Sequence, residues 1–196
     1  MVQDKARGDG KGEMQRRILA AAEELFVRKG FDNVSMRAIA SRIGYSPGAI
    51  YRYFENKQEI LSLLRHEAFG VLMKRQAALP KDEDPEKRLH AQCRLFFDFA
   101  MEKPDRFRLM FAQGPSAVSV GGQWADRAHE SLERFEGEVA ECMAQGCFPG
   151  QEARTVVITL WTCMHGLASL ALSGRLAVLG QDVDALAKKV IAFAIR

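Results

Sequence analysis

The sequence predicts an all-α fold of about nine helices, a small three-helix head followed by a larger helical bundle. Three observations predict it. Apolar residues recur at spacings of three and four along nearly the whole chain, and alternating strand-like runs are almost absent. Helix starts and stops are marked repeatedly, by Ser, Asn or Pro at one end and Gly at the other. Apolar residues make up 47% of 196 residues, enough to bury a core.

The first helix is expected from about Glu13 to Lys29, with Ile18, Ala22 and Leu25 on one stripe and Leu19 and Phe26 widening it. Gly30 ends it, and Phe31 is placed to pack back on the last turn. Ser35 caps a second helix, with Val34 positioned to staple onto Ile39, and Gly44 stops that helix. Ser46 caps a third, with Pro47 at its first position. Asn56 caps a fourth, and Glu59 completes a capping-box pattern. That helix carries Ile60, Leu61, Leu64, Ala68, Val71 and Leu72 and ends before Pro80. Further helices are expected over about Pro85–Glu102, Pro104–Ala112, Trp124–Gln145, Gln151–Ser173 and Val183–Ile195, with a small flexible stretch from Gly114 to Gly122. The division read from this pattern is a flexible arm (1–12), a head (13–56), a connecting helix (57–80) and a bundle (81–196).

Charge is uneven. Residues 1–57 hold 11 Lys/Arg against 7 Asp/Glu, a net +4, whereas the remainder is −1. A basic small segment beside a near-neutral large one suits a polyanion binder with a second module. Cys93, Cys142, Cys147 and Cys163 form no CxxC pair, so neither a zinc site nor a disulfide framework is expected, and reduced thiols in a cytoplasmic protein fit better. Met1–Gly12 has no apolar core of the signal-peptide kind. No phosphate loop, GxSxG or HExxH occurs, and Glu138 and Glu141 read as a solvated face, so no enzyme, cofactor or metal is expected.

The two short capped helices around Gly44 are the main functional signal. Ile39, Ala40 and Ile43 turn inward on the first, Ile50 and Phe54 on the second. The other face of the second shows Gly48, Ala49, Tyr51, Arg52 and Tyr53. Gly48 and Ala49 are small enough for close approach to another surface, and the tyrosine hydroxyls and Arg52 can donate to phosphates or base edges. Lys57, at a helix N-terminus, adds its charge to the dipole there.

The run from Ser35 to Gly44, then Tyr45-Ser-Pro-Gly-Ala-Ile-Tyr-Arg-Tyr-Phe54, then Glu55-Asn-Lys57 with Glu59-Ile-Leu61, resembles the DNA-binding domain of the TetR family of repressors over about residues 13–61. The resemblance implies a helix-turn-helix. In it Ser35 and Tyr51 hold phosphates, Arg37 sits where some members read a guanine, Tyr53 and Lys57 grip the backbone, and Ser46, Pro47, Gly48, Ala49 and Arg52 complete the DNA surface. Residues 84–196 resemble the ligand-binding part of a TetR subgroup named for a Trp-His-Gly signature, through Arg106–Phe111, Leu160–Gly166 with Trp161, His165 and Gly166, and Gly174–Leu176.

Thr155 to Gly174 runs twenty residues without a formal charge if His165 is neutral. A membrane span is one reading of it. Its threonines, serines and histidine favour a helix buried on most sides instead. Thr155, Thr159, Thr162, Gly166, Ser169 and Ser173 make a small stripe, expected to meet a partner helix; Val157, Trp161, Met164, Ala168 and Ala171 make another, expected to face the interior. Phe96, Phe97, Phe107, Met110, Phe111, Trp124, Trp161, Met164 and His165 are either plain core or the wall of an apolar effector cavity. A homodimer is expected, because one head makes too few contacts for a specific site. Its seam is placed on Thr159, Thr162, Gly166 and Ser169 together with Leu186, Val190 and Phe193. The function read from the sequence is a repressor that binds double-stranded palindromic operator DNA as a dimer and is released by a small apolar effector, with no membrane partner. The alternative is an architectural or interaction protein that has no inducer.

Overall fold

The computed structural model describes residues 3–80, 84–111, 123–180 and 182–195, with side chains for all of these except 3–10, 123–125 and 179. Among the described residues there are nine α-helices, one 3-10 turn and no strand. The helices are α1 (Gln3–Lys29), α2 (Met36–Ile43), α3 (Pro47–Tyr51), α4 (Lys57–Ala77), α5 (Pro85–Glu102), α6 (Pro104–Met110), α7 (Gln123–Ala144), α8 (Ala153–Leu172) and α9 (Val183–Ala194), with the 3-10 turn at Arg175–Leu179 between the last two. The stretch Gly114–Gly122 and the Trp124 side chain lie outside the description.

The helix expected from Glu13 begins at Gln3, so most of the expected arm is helical. No strong cap residue stands at the expected start, and extending a formed helix costs less than nucleating one. The chain forms two compact units, one of residues 1–68 and 108–125, the other of 69–107 and 126–196. The linear division read from the sequence misses this interleaving, because each of α4 and α6 looks like one continuous element while contributing to both units.

In the first unit α1, α2, α3 and the start of α4 close around Ile18, Ile39, Ile50, Phe54 and Ile60, with Leu109 in the same core. Arg65 is buried, and its Nε donates to the Leu109 carbonyl at 3.2 Å; burial lowers its pKa. In the second unit α8 and α9 pack on α5 and on each other. Leu89, Cys93, Val139, Val157, Leu160, Met164 and Ile191 are among the buried residues of that core. Ion pairs flank it. Arg88 bridges from α5 to Glu138 (3.0 Å) and Glu141 on α7, so these two carboxylates are held rather than merely solvated. Arg94 bridges to Asp98 and to Asp184 on α9, and those carboxylates raise its already high pKa.

The hydrophobic stretch in α8 is long and apolar enough to cross a membrane by length and composition, and a third of it is buried, so the expected burial on most sides is corrected to burial along one arc. Its buried arc holds Val156, Val157, Leu160, Met164, Leu167 and Ala168. Trp161 does not share it: the ring is 39% exposed. At roughly 100° per residue it sits about 40° from Val157, on the edge of the arc and away from its centre. The expectation that it faces the interior beside Met164 is corrected accordingly. A second correction concerns the cysteines. Cys142 and Cys147 form a disulfide, whereas Cys93 and Cys163 are free thiols. Five residues of separation suggest two thiols too far apart along a helix, but α7 stops at Ala144 and the chain turns back.

Candidate nucleic-acid interface

The α2–α3 pair is set by its caps. Ser35 is extended, and its Oγ accepts the Ala38 N–H at 3.1 Å. The hydroxyl hydrogen is left to donate outward. Gly44 has φ +76°, which only a residue without Cβ adopts cheaply, and the N–H of Tyr45 closes back on the Ala40 carbonyl at 3.0 Å. Ser46 stands at the cap position of α3 but its side chain makes no capping bond, contrary to expectation. Helix α3 is five residues long, shorter than the expected Ser46–Phe54. Tyr53 and Phe54 close onto the Ile50 carbonyl at 2.8 and 3.1 Å, and buried Ile50 and Phe54 anchor the turn.

Outward from this anchor lie Gly48, Tyr51 (55% exposed), Arg52 and Arg37, with Pro47, Ala49 and Tyr53 half-buried. Among the described residues neither Arg37 nor Arg52 has an acidic partner. A Cβ added at Gly48 would meet nothing within 4 Å, so the backbone there is open to a close surface. Two arginines, a phenol, a free hydroxyl and bare backbone on one short helical pair match what base edges and phosphates require.

Lys57 behaves differently from the expectation. Its Nζ donates to the carbonyls of Phe31 (2.9 Å) and Asp32 (3.3 Å) and lies 4.3 Å from the Phe31 ring centroid. Two of its three N–H donors are therefore committed to the loop between α1 and α2, and one remains for a phosphate. Asn56 caps α4 as expected, its Oδ1 accepting the Glu59 N–H at 2.9 Å, but the return half of the box is shifted by one residue: the Glu59 carboxylate accepts the N–H of Glu55 at 2.6 Å, not that of Asn56.

Sequence reasoning misses the braces from α1. Arg42 donates through Nε and Nη2 to Glu24 at 3.1 and 2.7 Å. The Glu24 carboxyl lies below its ordinary range, mainly because of that bond and secondarily through Arg28. Arg17 reaches the Ile43 carbonyl at 3.4 Å and stacks over the Tyr45 ring at 5.4 Å. These pairs are 18 to 28 residues apart, and no local periodicity signals them.

Similarity to known proteins decides the family. The model of bacterial regulatory proteins of the tetR family matches residues 18–64, and that of the tetracyclin repressor-like C-terminal domain matches residues 89–194, more than half of the chain. The chain belongs to the TetR family. It is 32% identical over 102 residues to the HTH-type transcriptional activator FasR of Mycolicibacterium smegmatis, covering 52% of this chain and 47% of FasR. The chain thus spans about half the length of the curated relatives it matches. Among solved structures, the TetR family regulator PfmR from Thermus thermophilus aligns with TM-score 0.73 at 18% identity, over 92% of this chain and 94% of PfmR. The fatty acid degradation regulator FadR from Bacillus halodurans aligns at 0.64 and 18%, over 92% and 94%. At such identity these two likenesses establish the fold. The α2–α3 pair and its Glu24–Arg42 brace lie within the stretch matched by the model of bacterial regulatory proteins.

The residues expected around an effector are divided between the units. Phe96, Phe97, Phe107, Trp161, Met164 and His165 belong to the second; Met110 and Phe111 belong to the first. Within the second, Phe96 meets Phe107 edge-on at 5.5 Å, and Phe107 meets the His165 ring at 5.4 Å. Burial lowers the His165 pKa, so the ring is neutral near pH 7. Phe97 is buried under the Arg94 guanidinium. The residues expected at a dimer seam lie outward: Thr159, Thr162 and Ser169 are exposed, Gly166, Leu186 and Val190 half-buried, and Phe193 is 79% exposed.

Proposed function

We propose that this TetR-family chain is a cytoplasmic repressor that binds a palindromic operator as a homodimer and is released by a small apolar effector. The observation that carries the reading is the braced α2–α3 pair. It presents Arg37, Tyr51, Arg52 and the open Ser46 hydroxyl outward, while Arg42 is pinned by Glu24. Dimerisation is supported by the exposed half of α8 together with Phe193 on α9, which the described residues leave uncovered. On α8 Ile158 and Trp161 are exposed on one side of the small stripe and Leu170 on the other, and exposed apolar groups of this size suit an interaction surface. An apolar effector is supported by the aromatic series Phe96–Phe107–His165, buried at Phe107 and half-buried at its two ends, and by the fatty acid role in the description of FadR.

Two recognition helices related by a two-fold axis read half-sites about 10 bp apart. Selection of duplexes from a random library by the purified protein is expected to return an inverted repeat. Fatty acids and related apolar compounds, added in series to the selected complex, are expected to include one that releases it. Equal affinity for selected and random duplexes would favour the architectural alternative. Raised reporter expression from a promoter carrying the repeat would make the protein an activator, as FasR is described.

A further inference from the structure

All four cysteines of the chain meet in one apolar cluster of the second unit, Cys93 and Cys142 buried within it and Cys147 and Cys163 packed against it. Cys142 and Cys147 are bonded, with Cα atoms 5.5 Å apart. The backbone is what joins them. The Cys147 N–H donates to the Cys142 carbonyl at 3.1 Å, the Gly146 N–H to the Met143 carbonyl at 3.0 Å, and Gly146 takes φ +94°. This is the Schellman closure of a helix end, which brings together the side chain at the start of the helix's last turn and the one two past its cap. An apolar pair usually fills those positions; at the end of α7 both are cysteine.

Two consequences follow from that geometry. The bond spans a loop that backbone hydrogen bonds already close, and so short a loop removes little chain entropy, which makes it a weak staple. With the bond open, the same hydrogen bonds keep the two sulfurs near each other, ready to pair again. The other two thiols are poorly suited to exchange, because the thiolate is the reactive form. Burial and the neighbouring Cys163 push Cys93 up to about 12, and burial raises Cys163 as well. Of the bonded pair Cys142 is fully buried and Cys147 half-buried, so Cys147 is the sulfur within reach of a solute.

We propose that Cys142 and Cys147 form a reversible dithiol–disulfide couple, exchanged with low-molecular-weight disulfides through Cys147, and that its state is a second input to the regulator. In the oxidising direction the Cys147 thiolate attacks the small disulfide, forming a mixed disulfide and expelling one small thiolate. Cys142 gives up its proton, attacks Sγ of Cys147 and expels the second. Two protein thiols lose two electrons, and the small disulfide gains them and leaves as two thiols. The bond ties the last turn of α7 to the corner that leads into α8, whose Val156, Val157, Leu160 and Met164 share the same cluster. Opening it leaves that corner to the two closing hydrogen bonds, which keep the sulfurs close in the main population while transient local opening of the corner becomes more frequent. The regulatory half of this inference rests on the repressor reading above.

The test equilibrates the full chain in glutathione buffers of graded reduced-to-oxidised ratio. Thiols are counted by alkylation under denaturing conditions, and binding is measured to the duplex that the reduced protein selects from a random library. The expected count falls from four to two as the buffer becomes oxidising, with the bridge mapping to 142–147. Operator affinity is expected to differ by about fivefold or more between the two ends. Cys147→Ser, and Cys147→Ala beside it, should retain binding but lose the difference. Four thiols at every ratio, or two at every ratio, overturns the couple. Equal affinity at both ends overturns the second input. Absence of DNA binding at both ends refutes the repressor reading and the second input together, while the thiol count still decides the couple.

Discussion

Gly166 offers the sharpest separation between what the chain needs for itself and what it needs for a partner. Within the chain a Cβ at Gly166 meets nothing within 4 Å. Replacing it by Ala therefore introduces no clash in the monomer and relieves the glycine penalty of about 0.5–1 kcal/mol in a helix interior, and a Leu side chain starts from the same open Cβ position. If α8 meets its symmetry mate across the stripe Thr159, Thr162, Gly166 and Ser169, the added leucine has to be fitted between two packed helices at about 1–3 kcal/mol per copy. A two-fold seam carries two copies, so association weakens by roughly 2–6 kcal/mol, which is about 30-fold to more than 10⁴-fold in the dissociation constant. The two effects have opposite sign, and protein concentration separates them. Sedimentation should show Gly166→Leu dissociating at micromolar concentration where the parent protein is dimeric. Melts of the dissociated species should lie no lower than those of the parent monomer. A Gly166→Leu protein that stays dimeric with a raised melting temperature would refute the seam.

Three further perturbations test the head and the core. Lys57→Ala should lower stability by about 1 kcal/mol, the value of charged hydrogen bonds discounted for partial exposure, as well as weaken DNA binding. Arg52→Ala should leave the melt alone and reduce the salt slope by about one unit, and Arg37→Ala should cost about 1–3 kcal/mol on the selected duplex and far less on random DNA. A full unit of slope lost in Lys57→Ala with an unchanged melt would show that its carbonyl bonds are incidental. Met164→Ala, at a buried site, should cost about 2–5 kcal/mol of chain stability, whereas Trp161→Ala should cost the monomer clearly less and show itself in the dimer; equal monomer melts would contradict the rim position of the ring. Burial lowers the His165 pKa below its ordinary 6.5, so under acid the unfolded chain takes up the proton first. Its share of stability is present above 6.5 and lost as pH falls below it. Melting temperature between about pH 6.5 and 5 should fall less steeply for His165→Gln than for the parent.

Much of the molecule can be read from the sequence because helices announce their own ends. Ser35, Gly44 and the Asn56 cap define α2 and the start of α4, and each does in the structure what its chemistry suggests. The buried arc of α8 follows from a 3.6-residue period, but the period does not say how wide the arc is, which is why it misplaces Trp161. Long-range ties are illegible for a different reason. Glu24 with Arg42, Arg17 with Tyr45 and Lys57 with the Phe31 carbonyl connect residues whose proximity depends on how whole helices cross. The Cys142–Cys147 pair, by contrast, is legible. A glycine directly before the second cysteine is the signature of a helix end folding back on itself, and treating the pair as still helical hides it.

The path of the chain sets a limit on cutting it. The similarity that marks the DNA-binding part ends at residue 64, which suggests a fragment that could be expressed alone. Yet the core of that part includes Leu109, and the buried Arg65 guanidinium donates to the Leu109 carbonyl. Those atoms arrive only after the chain has travelled through residues 69–107 of the other unit. A gene truncated after α4 would encode every residue expected to touch DNA and still lack part of the interior on which they are mounted. During synthesis, likewise, the head is incomplete until Leu109 has left the ribosome, so the segment proposed to recognise DNA is finished only after much of the segment proposed to regulate it.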